Sequence, residues 1–297
     1  AEFELIGESV KTSVLAWTTT PWTLPGNVAL AVNENIDYVT IEKKDEGAGE
    51  AVRFIVAKEL LKNIFGEEGY EVVAEYKGIK LVGKSYKPLF DYYANDETLK
   101  NRENGWKIYH ADFVTTDMGT GIAHEAPAFG EDDMQLGKAN NLPWVQHVHM
   151  DGTMKAEVTD FAGRPVKSKE DPSAMDVEII KYLAKQGTLF AKEKYEHSYP
   201  HCWRCDTPLL NYATSSWFVK VTDIKPEMLE LAKGIHWSPT HIKEGRWGKW
   251  LEGARDWSIS RQRYWASVMP LWKCTCGEMK VIGSVAELEK LSGQKVE

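Results

Sequence analysis

Residues 13–32 read SVLAWTTTPWTLPGNVALAV, and this stretch decides the fold. The run Ser13–Thr18 is rich in β-branched and apolar residues and predicts a strand; Val28–Val32 predicts a second. Between them Pro21, Pro25 and Gly26 break any continuous strand or long helix and leave a stiff loop. The pattern continues outward, with further strands expected at Tyr38–Glu42 and Val52–Ala57. Helices interrupt it. One is expected at Lys58–Phe65, ending at Gly66, and another from near Gly130 through Asp133 and Leu136 to Asn140. A third has Asp171 as N-cap, Pro172 in its first turn, Val177, Ile180, Leu183 and Ala184 on one face, and Gly187 as C-cap. Short strands outnumber helices here. The expected class is α+β, mainly β, with a barrel-like first domain carrying helical decorations rather than a doubly wound sheet.

The 297 residues carry 36 basic and 44 acidic side chains, a net charge of −8, with 43% hydrophobic and 27% charged residues. That balance is that of an ordinary globular protein. It excludes a disordered chain, and no apolar run reaches the roughly 18–20 residues of a membrane span. The opening AEFELIGESV lacks the pattern of a signal peptide. Charge and aromatics are unevenly spread. Residues 1–194 hold 22 basic and 32 acidic side chains, and residues 195–297 hold 14 and 12 together with eight of the twelve tryptophans. The expected division is therefore a first domain over 1–190 and a smaller mixed segment over 191–297. In the second part, Pro226–Lys233 and Thr240–Glu252 read as helices.

Four motifs carry chemistry. TTTPWTLPGN (18–27) offers the hydroxyls of Thr18, Thr19 and Thr20 and the amide of Asn27 to a polar ligand or a water, on a loop stiffened by two prolines. On physics alone, threonines that merely form a strand fit equally well. GTGIAHEAPAFGEDDM (119–134) places His124 nine residues before Asp133, and carboxylates open a helix at its positive end. A structural histidine with ordinary first-turn acids is the plainer account. The Gly-x-Gly lacks the third glycine of a dinucleotide fingerprint.

All four cysteines fall into two knuckles, Cys202-Trp203-Arg204-Cys205 and Cys274-Thr275-Cys276, with 68 residues between them. Two close pairs of thiolates suit a tetrahedral structural Zn2+, with His197 or His201 able to replace one sulfur of the tight second knuckle. A closed set of four ligands leaves no place for a catalytic water, so the metal reads as a staple. Buried free thiols are the alternative. In GRWGKWLEGARDWSISRQRYWASVMPLW (245–272), Arg255, Arg261 and Arg263 alternate with Trp250, Trp257, Tyr264 and Trp265. That pattern suits nucleic-acid contacts, but an aromatic core rimmed by arginines fits better on physics alone.

Taken together, TTTPWTLPGN, GTGIAHEAPAFGEDD, SYPHCWRCDTPLLNYATSSWFVKV and ARDWSISRQRYW resemble, in order, blocks of the isoleucyl-tRNA synthetases. The resemblance runs from about Ser13 to Gly277. Valyl and leucyl relatives typically carry Arg after the threonines, where this chain has Pro21-Trp22. Ala266-Ser267 departs from the glycine and threonine of many members, in a segment of the synthetic core. The His-x-Gly-His and Lys-Met-Ser-Lys-Ser signatures that serve ATP are absent from these residues. The resemblance therefore implies an excised piece: the inserted editing domain plus the zinc-bearing return segment, with ATP needed only by the full-length enzyme.

The resemblance further implies proofreading hydrolysis of mischarged Val-tRNA(Ile), a cytoplasmic location, and the tRNA acceptor end and the rest of the synthetase as partners, with no membrane and no DNA. By it, Asp133 pairs with the substrate α-ammonium, and Thr18, Thr19 and Thr20 line the substrate and water. Asn27 ends that loop, and His124 helps exclude the larger side chain. The need for a second pocket follows from the small discrimination one methylene permits, roughly 1–3 kcal/mol, a principle whose own example is an isoleucyl enzyme. With no Ser-His-Asp set present, direct attack of a positioned water is expected, aided by the terminal ribose hydroxyl. A non-catalytic zinc-stabilised RNA-binding module and a valyl-type domain acting on Thr-tRNA(Val) are the alternatives.

Overall fold

A computed structural model describes residues 1–44, 51–196, 198–261 and 268–296. They form two compact units, Ala1–Ala213 and Thr214–Glu297.

In the first unit the four expected strands appear as β2 (Thr12–Leu15), β3 (Ala29–Val32), β4 (Asp37–Lys44) and β5 (Ala51–Ala57), and four that were not expected join them: β1 (Glu2–Glu4), β6 (Glu71–Lys77), β7 (Lys107–His110) and β8 (Ala123–Glu125). They make a five-stranded sheet of order β1-β2-β5-β4-β6 and a three-stranded sheet of order β7-β3-β8. The β2–β5 and β3–β7 pairings are parallel and the rest antiparallel. Neither sheet closes on itself among the described residues. Isolated bridges link them, Leu5 to Tyr86, Ser85 to Lys107 and Trp17 to Ala123. Phe3, Val14, Leu30, Val32, Tyr38 and Ile108 fill the space between, each almost fully buried.

The helices are α1 (Leu61–Phe65), led in by a 3-10 turn at Lys58–Leu60, then α2 (Glu131–Ala139) and α3 (Ala174–Gln186). Helix α3 departs from expectation at two points. Asp171 does not cap it: its carboxylate accepts from the Ser173 N–H and hydroxyl, one turn outside the helix. The buried face is Met175, Ile179 and Leu183, spaced by four, whereas Val177 is 42% exposed. Leu183 lies on the buried face as expected, but the rest of that stripe is Met175 and Ile179 in four-residue steps rather than Val177, Ile180 and Ala184. Gly187 does end the helix, in the left-handed region at φ 70.

Residues 191–213 pack with the first unit: Ala213 N donates to Ala128 O at 2.9 Å, and the Tyr212 hydroxyl donates to Val148 O at 3.0 Å. The second unit holds α4 (Val221–Gly234), a strand pair β9 (Phe218–Val219) with β10 (Trp257–Ser258), α5 (Gly248–Glu252), a hairpin of β11 (Leu271–Lys273) with β12 (Met279–Val281), and α6 (Val285–Ser292). The helix expected over Thr240–Glu252 is broken at Gly245. Trp250 and Trp257 are 52% and 54% exposed, so these two are not the aromatic core expected of 245–272. Arg263, Tyr264 and Trp265 lie outside the described residues.

Candidate functional site

The loop after β2 turns through a 3-10 helix, Pro21–Gly26, whose first two turns are sealed by Thr23 N to Thr20 O and Asn27 N to Leu24 O, both 3.0 Å. Pro21 sets the entry and Asn27, buried, starts the return into β3. Thr20 N donates to Thr18 Oγ1 at 3.0 Å, and the Thr18 and Thr20 hydroxyls stand 3.4 Å apart. Thr18 and Thr20 are half-buried and Thr19 is exposed. The threonines thus form a polar ledge at the mouth of the loop.

Strand β8 brings His124 to this ledge, because it pairs antiparallel with β3 and sets His124 opposite Leu30. The Thr23 hydroxyl donates to Thr20 O at 2.8 Å, so its oxygen accepts from His124 Nε2, 2.8 Å away. That leaves His124 Nδ1 bare, facing the Asn27 Nδ2 amide at 3.4 Å. The amide also donates to Ala29 O at 2.8 Å, and Asn27 Oδ1 accepts from the buried Tyr86 hydroxyl at 2.7 Å. Apart from the branch to Ala29 O, these bonds run in one direction, from Tyr86 through Asn27, His124 and Thr23 to Thr20 O. Burial pushes the His124 pKa down to about 3 and holds the Tyr86 phenol well above its usual range. A neutral imidazole with both nitrogens committed can wall a pocket and orient a loop, but it is not free to take a proton.

Asp133 stands in the first turn of α2, where its Oδ2 accepts from Ala126 N at 2.8 Å. Gly130, the N-cap, makes room for it: a Cβ there would lie 2.7 Å from Asp133 Cγ and nearer still to Oδ1. Burial raises the Asp133 pKa against the pull of its backbone hydrogen bonds. A carboxylate held so, without a charged partner drawing its pKa down, is one that an incoming ammonium would stabilise. Glu125, next to His124, is also buried, its Oε2 finds no partner among the described residues, and burial holds it well above the carboxylate range.

The structure therefore brings together Thr18, Thr20, Asn27 and His124, and sets Asp133 on the backbone two residues beyond His124. Thr23 makes the join and was not singled out from the sequence; its place three residues after Thr20 in a proline-bounded turn is the signal that could have found it. Also missed were two groups that hold the loop from outside. Asp176 Oδ1 accepts from Trp22 N at 3.0 Å, and His147 Nε2 donates to Trp22 O at 2.9 Å. A groove of about 550 Å³ bounded by Thr12, Thr40, Arg53, Tyr76 and Lys80 lies over the five-stranded sheet and includes none of the motif residues.

Of the cysteines, Cys202 and Cys205 belong to the first unit, and Cys274 and Cys276 to the second. Each pair sits on a tight turn: Asp206 N bonds to Cys202 O at 2.8 Å, and Gly277 N to Cys274 O at 2.9 Å. Hydrogen bonds from Thr207, helped by Cys202, bring the Cys205 thiol down to about 7, and Cys276 lowers Cys274. Each knuckle thus sets one readily ionised sulfur, Cys205 or Cys274, beside a second thiol, the donor chemistry of half a zinc set. Within either unit, no group of three metal-ligating side chains stands together among the described residues. His201 Nδ1 lies 2.9 Å from Tyr199 O, and His197 is outside the described residues.

The family described as "tRNA synthetases class I (I, L, M and V)" matches residues 17–297. Isoleucine–tRNA ligases are similar to it: that of Bdellovibrio bacteriovorus is 46% identical over 297 residues, 99% of this chain and 27% of that protein. That of Clostridium tetani is 44% identical over 289 residues, 97% of this chain and 26% of that protein. The chain thus spans about a quarter of the length of the curated relatives it matches. Among solved structures, GlLeuRS-CP1 is 14% identical with a TM-score of 0.49, over 66% of this chain and 98% of that one. The P. falciparum cytosolic leucyl-tRNA synthetase editing domain is 17% identical with a TM-score of 0.34, over 45% and 49%. No helix among the described residues is long and apolar enough to cross a membrane.

Proposed function

Because the chain belongs to the class I tRNA synthetases of the I, L, M and V group, we propose that its first unit is the editing domain of an isoleucine–tRNA ligase. In this reading it hydrolyses the ester of Val-tRNA(Ile) in a cytoplasmic setting, with the rest of the synthetase and the tRNA acceptor end as partners. One observation carries the reading: the Thr23–His124 hydrogen bond joins the threonine ledge to the strand that leads into Asp133, two segments remote in sequence, and we take the recess they would line as the substrate site.

Asp133 holds the valine α-ammonium in this recess, where partial desolvation strengthens the pair. The hydroxyls of Thr18, Thr19 and Thr20 orient a water toward the ester carbonyl and stabilise the oxygen on which charge develops. The water adds to the carbonyl carbon and gives up a proton, the ester C–O bond breaks, valine departs as the acid, and the ribose oxygen of the tRNA takes up that proton to become a hydroxyl. His124 and Asn27 wall the side-chain pocket against the extra methylene of isoleucine. The directed chain of hydrogen bonds supports a walling role for His124 rather than a basic one.

We also propose Cys202, Cys205, Cys274 and Cys276 as ligands of a structural Zn2+, on the chemistry of two close thiol pairs alone. Such an ion would staple the chain and supply no step of the hydrolysis.

The test is direct. The 297-residue chain is incubated with Val-tRNA(Ile), Ile-tRNA(Ile) and Thr-tRNA(Val), and loss of each ester is followed. Preferential loss of valine from tRNA(Ile), abolished by Asp133→Ala in a protein that still melts cooperatively, is the expected result. An ester stable at high chain concentration points to an RNA-binding module, and preferential cleavage of Thr-tRNA(Val) to a valyl-type domain.

A further inference from the structure

The Pro21–Gly26 turn has a defect written into its covalent structure. In a 3-10 helix the carbonyl of one residue accepts from the N–H three positions on. The partner due to Trp22 O is Pro25, which has no N–H. Trp22 N, in the first turn, is likewise a donor without an intrahelical acceptor. Trp22 is only 2% exposed, so water does not answer either group. Two remote side chains do. Asp176, from α3 and 154 residues away in sequence, accepts from Trp22 N at 3.0 Å. His147, 125 residues away and 0% exposed, donates from Nε2 to Trp22 O at 2.9 Å.

Each gripping group is itself backed. Asp176 Oδ2 is ion-paired with Lys167, the two side chains being 14% and 10% exposed. The His147 ring stands edge-on to Phe129, centroids 4.7 Å apart, and against Gly26, where a Cβ would lie 2.7 Å from Cε1 and nearer still to Nδ1. Only glycine lets the ring close on the loop. From this we propose that Asp176 and His147 are positioning residues: by holding both polar groups of Trp22 they fix the threonine ledge in register with His124. What the ledge positions rests on the deacylation reading above, whereas the grip on Trp22 does not.

The experiment compares two double variants of the full chain, because removing Asp176 alone would strand the Lys167 charge. Asp176→Asn with Lys167→Met keeps an acceptor for Trp22 N; Asp176→Leu with Lys167→Met removes it at similar shape. Amide exchange over residues 18–27 is measured together with kcat and KM for Val-tRNA(Ile). A ledge displaced by about 1 Å predicts roughly 100-fold lower kcat for the leucine pair than for the asparagine pair, with KM unchanged within about twofold. Exchange at Trp22 should rise at least about tenfold while α2 stays protected. His147→Phe, which fills the space without a donor, should resemble the leucine pair. Unchanged exchange overturns the grip whatever the activity does. Faster exchange with unchanged kcat, or a loss confined to KM, overturns the positioning role. A wild-type chain inert on Val-tRNA(Ile) overturns the deacylation reading, and exchange alone then decides the grip.

Discussion

Gly130→Ala would set a methyl carbon 2.7 Å from Asp133 Cγ. Carbon atoms pack at about 3.5–4.0 Å, so the carboxyl group must retreat by about 1 Å. At φ −140 the Gly130 backbone suits alanine, and the pressure falls on the carboxylate alone. The retreat stretches the 2.8 Å bond from Ala126 N beyond hydrogen-bonding range. Losing a hydrogen bond to a charged group costs about 1.5–3 kcal/mol of stability. An ammonium anchor moved by 1 Å should slow deacylation by about 100-fold. Stability is read by urea titration and the rate on Val-tRNA(Ile). A double-mutant cycle isolates the cause: in the Asp133→Ala background the same methyl meets no carboxylate, and Gly130→Ala should then be close to neutral. A full rate for Gly130→Ala, or an equal stability cost in both backgrounds, would refute the anchor geometry.

Other outcomes are open to test. His124→Ala should open the pocket wall so that Ile-tRNA(Ile) is also cleaved; continued sparing of that ester removes the steric role. Burial lowers the His147 pKa to about 4 against the ordinary 6.5, so the unfolded chain binds a proton the folded one refuses. Stability should thus fall as pH drops from about 6.5 toward 4, by about 2 kcal/mol at pH 5 from this residue. The raised carboxyls of Glu125, Asp133 and Asp176 act in the opposite sense, so the measure is the difference from His147→Gln, which should lack this slope. Chelation should lower the melting temperature of residues 214–297 and leave the β-sheets of the first unit folded; fresh protein without zinc by metal analysis would remove the staple.

Much of the first unit could be read from residue patterns, since β-branched runs bounded by Pro, Gly and Asn are local signals. Strands β2 to β5 and helices α1 and α2 appear within a few residues of where those runs lie. The face of α3 was not legible, because Val177 and Ile180 are as apolar as Met175 and Ile179, and only what packs on the helix, the Pro21–Gly26 turn among it, chooses between the two stripes. The ledge, His124 and Asp133 were visible as motifs, but their meeting through Thr23 depends on the pairing of β3 with β8. Asp176 and His147 carry no local mark at all. The sole hint lies in Pro25, whose missing N–H requires some distant donor for Trp22 O.

The Thr23–His124 bond ties together residues 101 positions apart, and three strands of the larger sheet are strung between them. Ring-closure entropy grows only logarithmically, about 0.6 kcal/mol for each doubling of the span. Hairpins on that stretch can therefore be lengthened or trimmed during evolution at little thermodynamic expense to the recess. The same arrangement delays competence during synthesis: a nascent chain cannot assemble the constellation until β8 has cleared the ribosome.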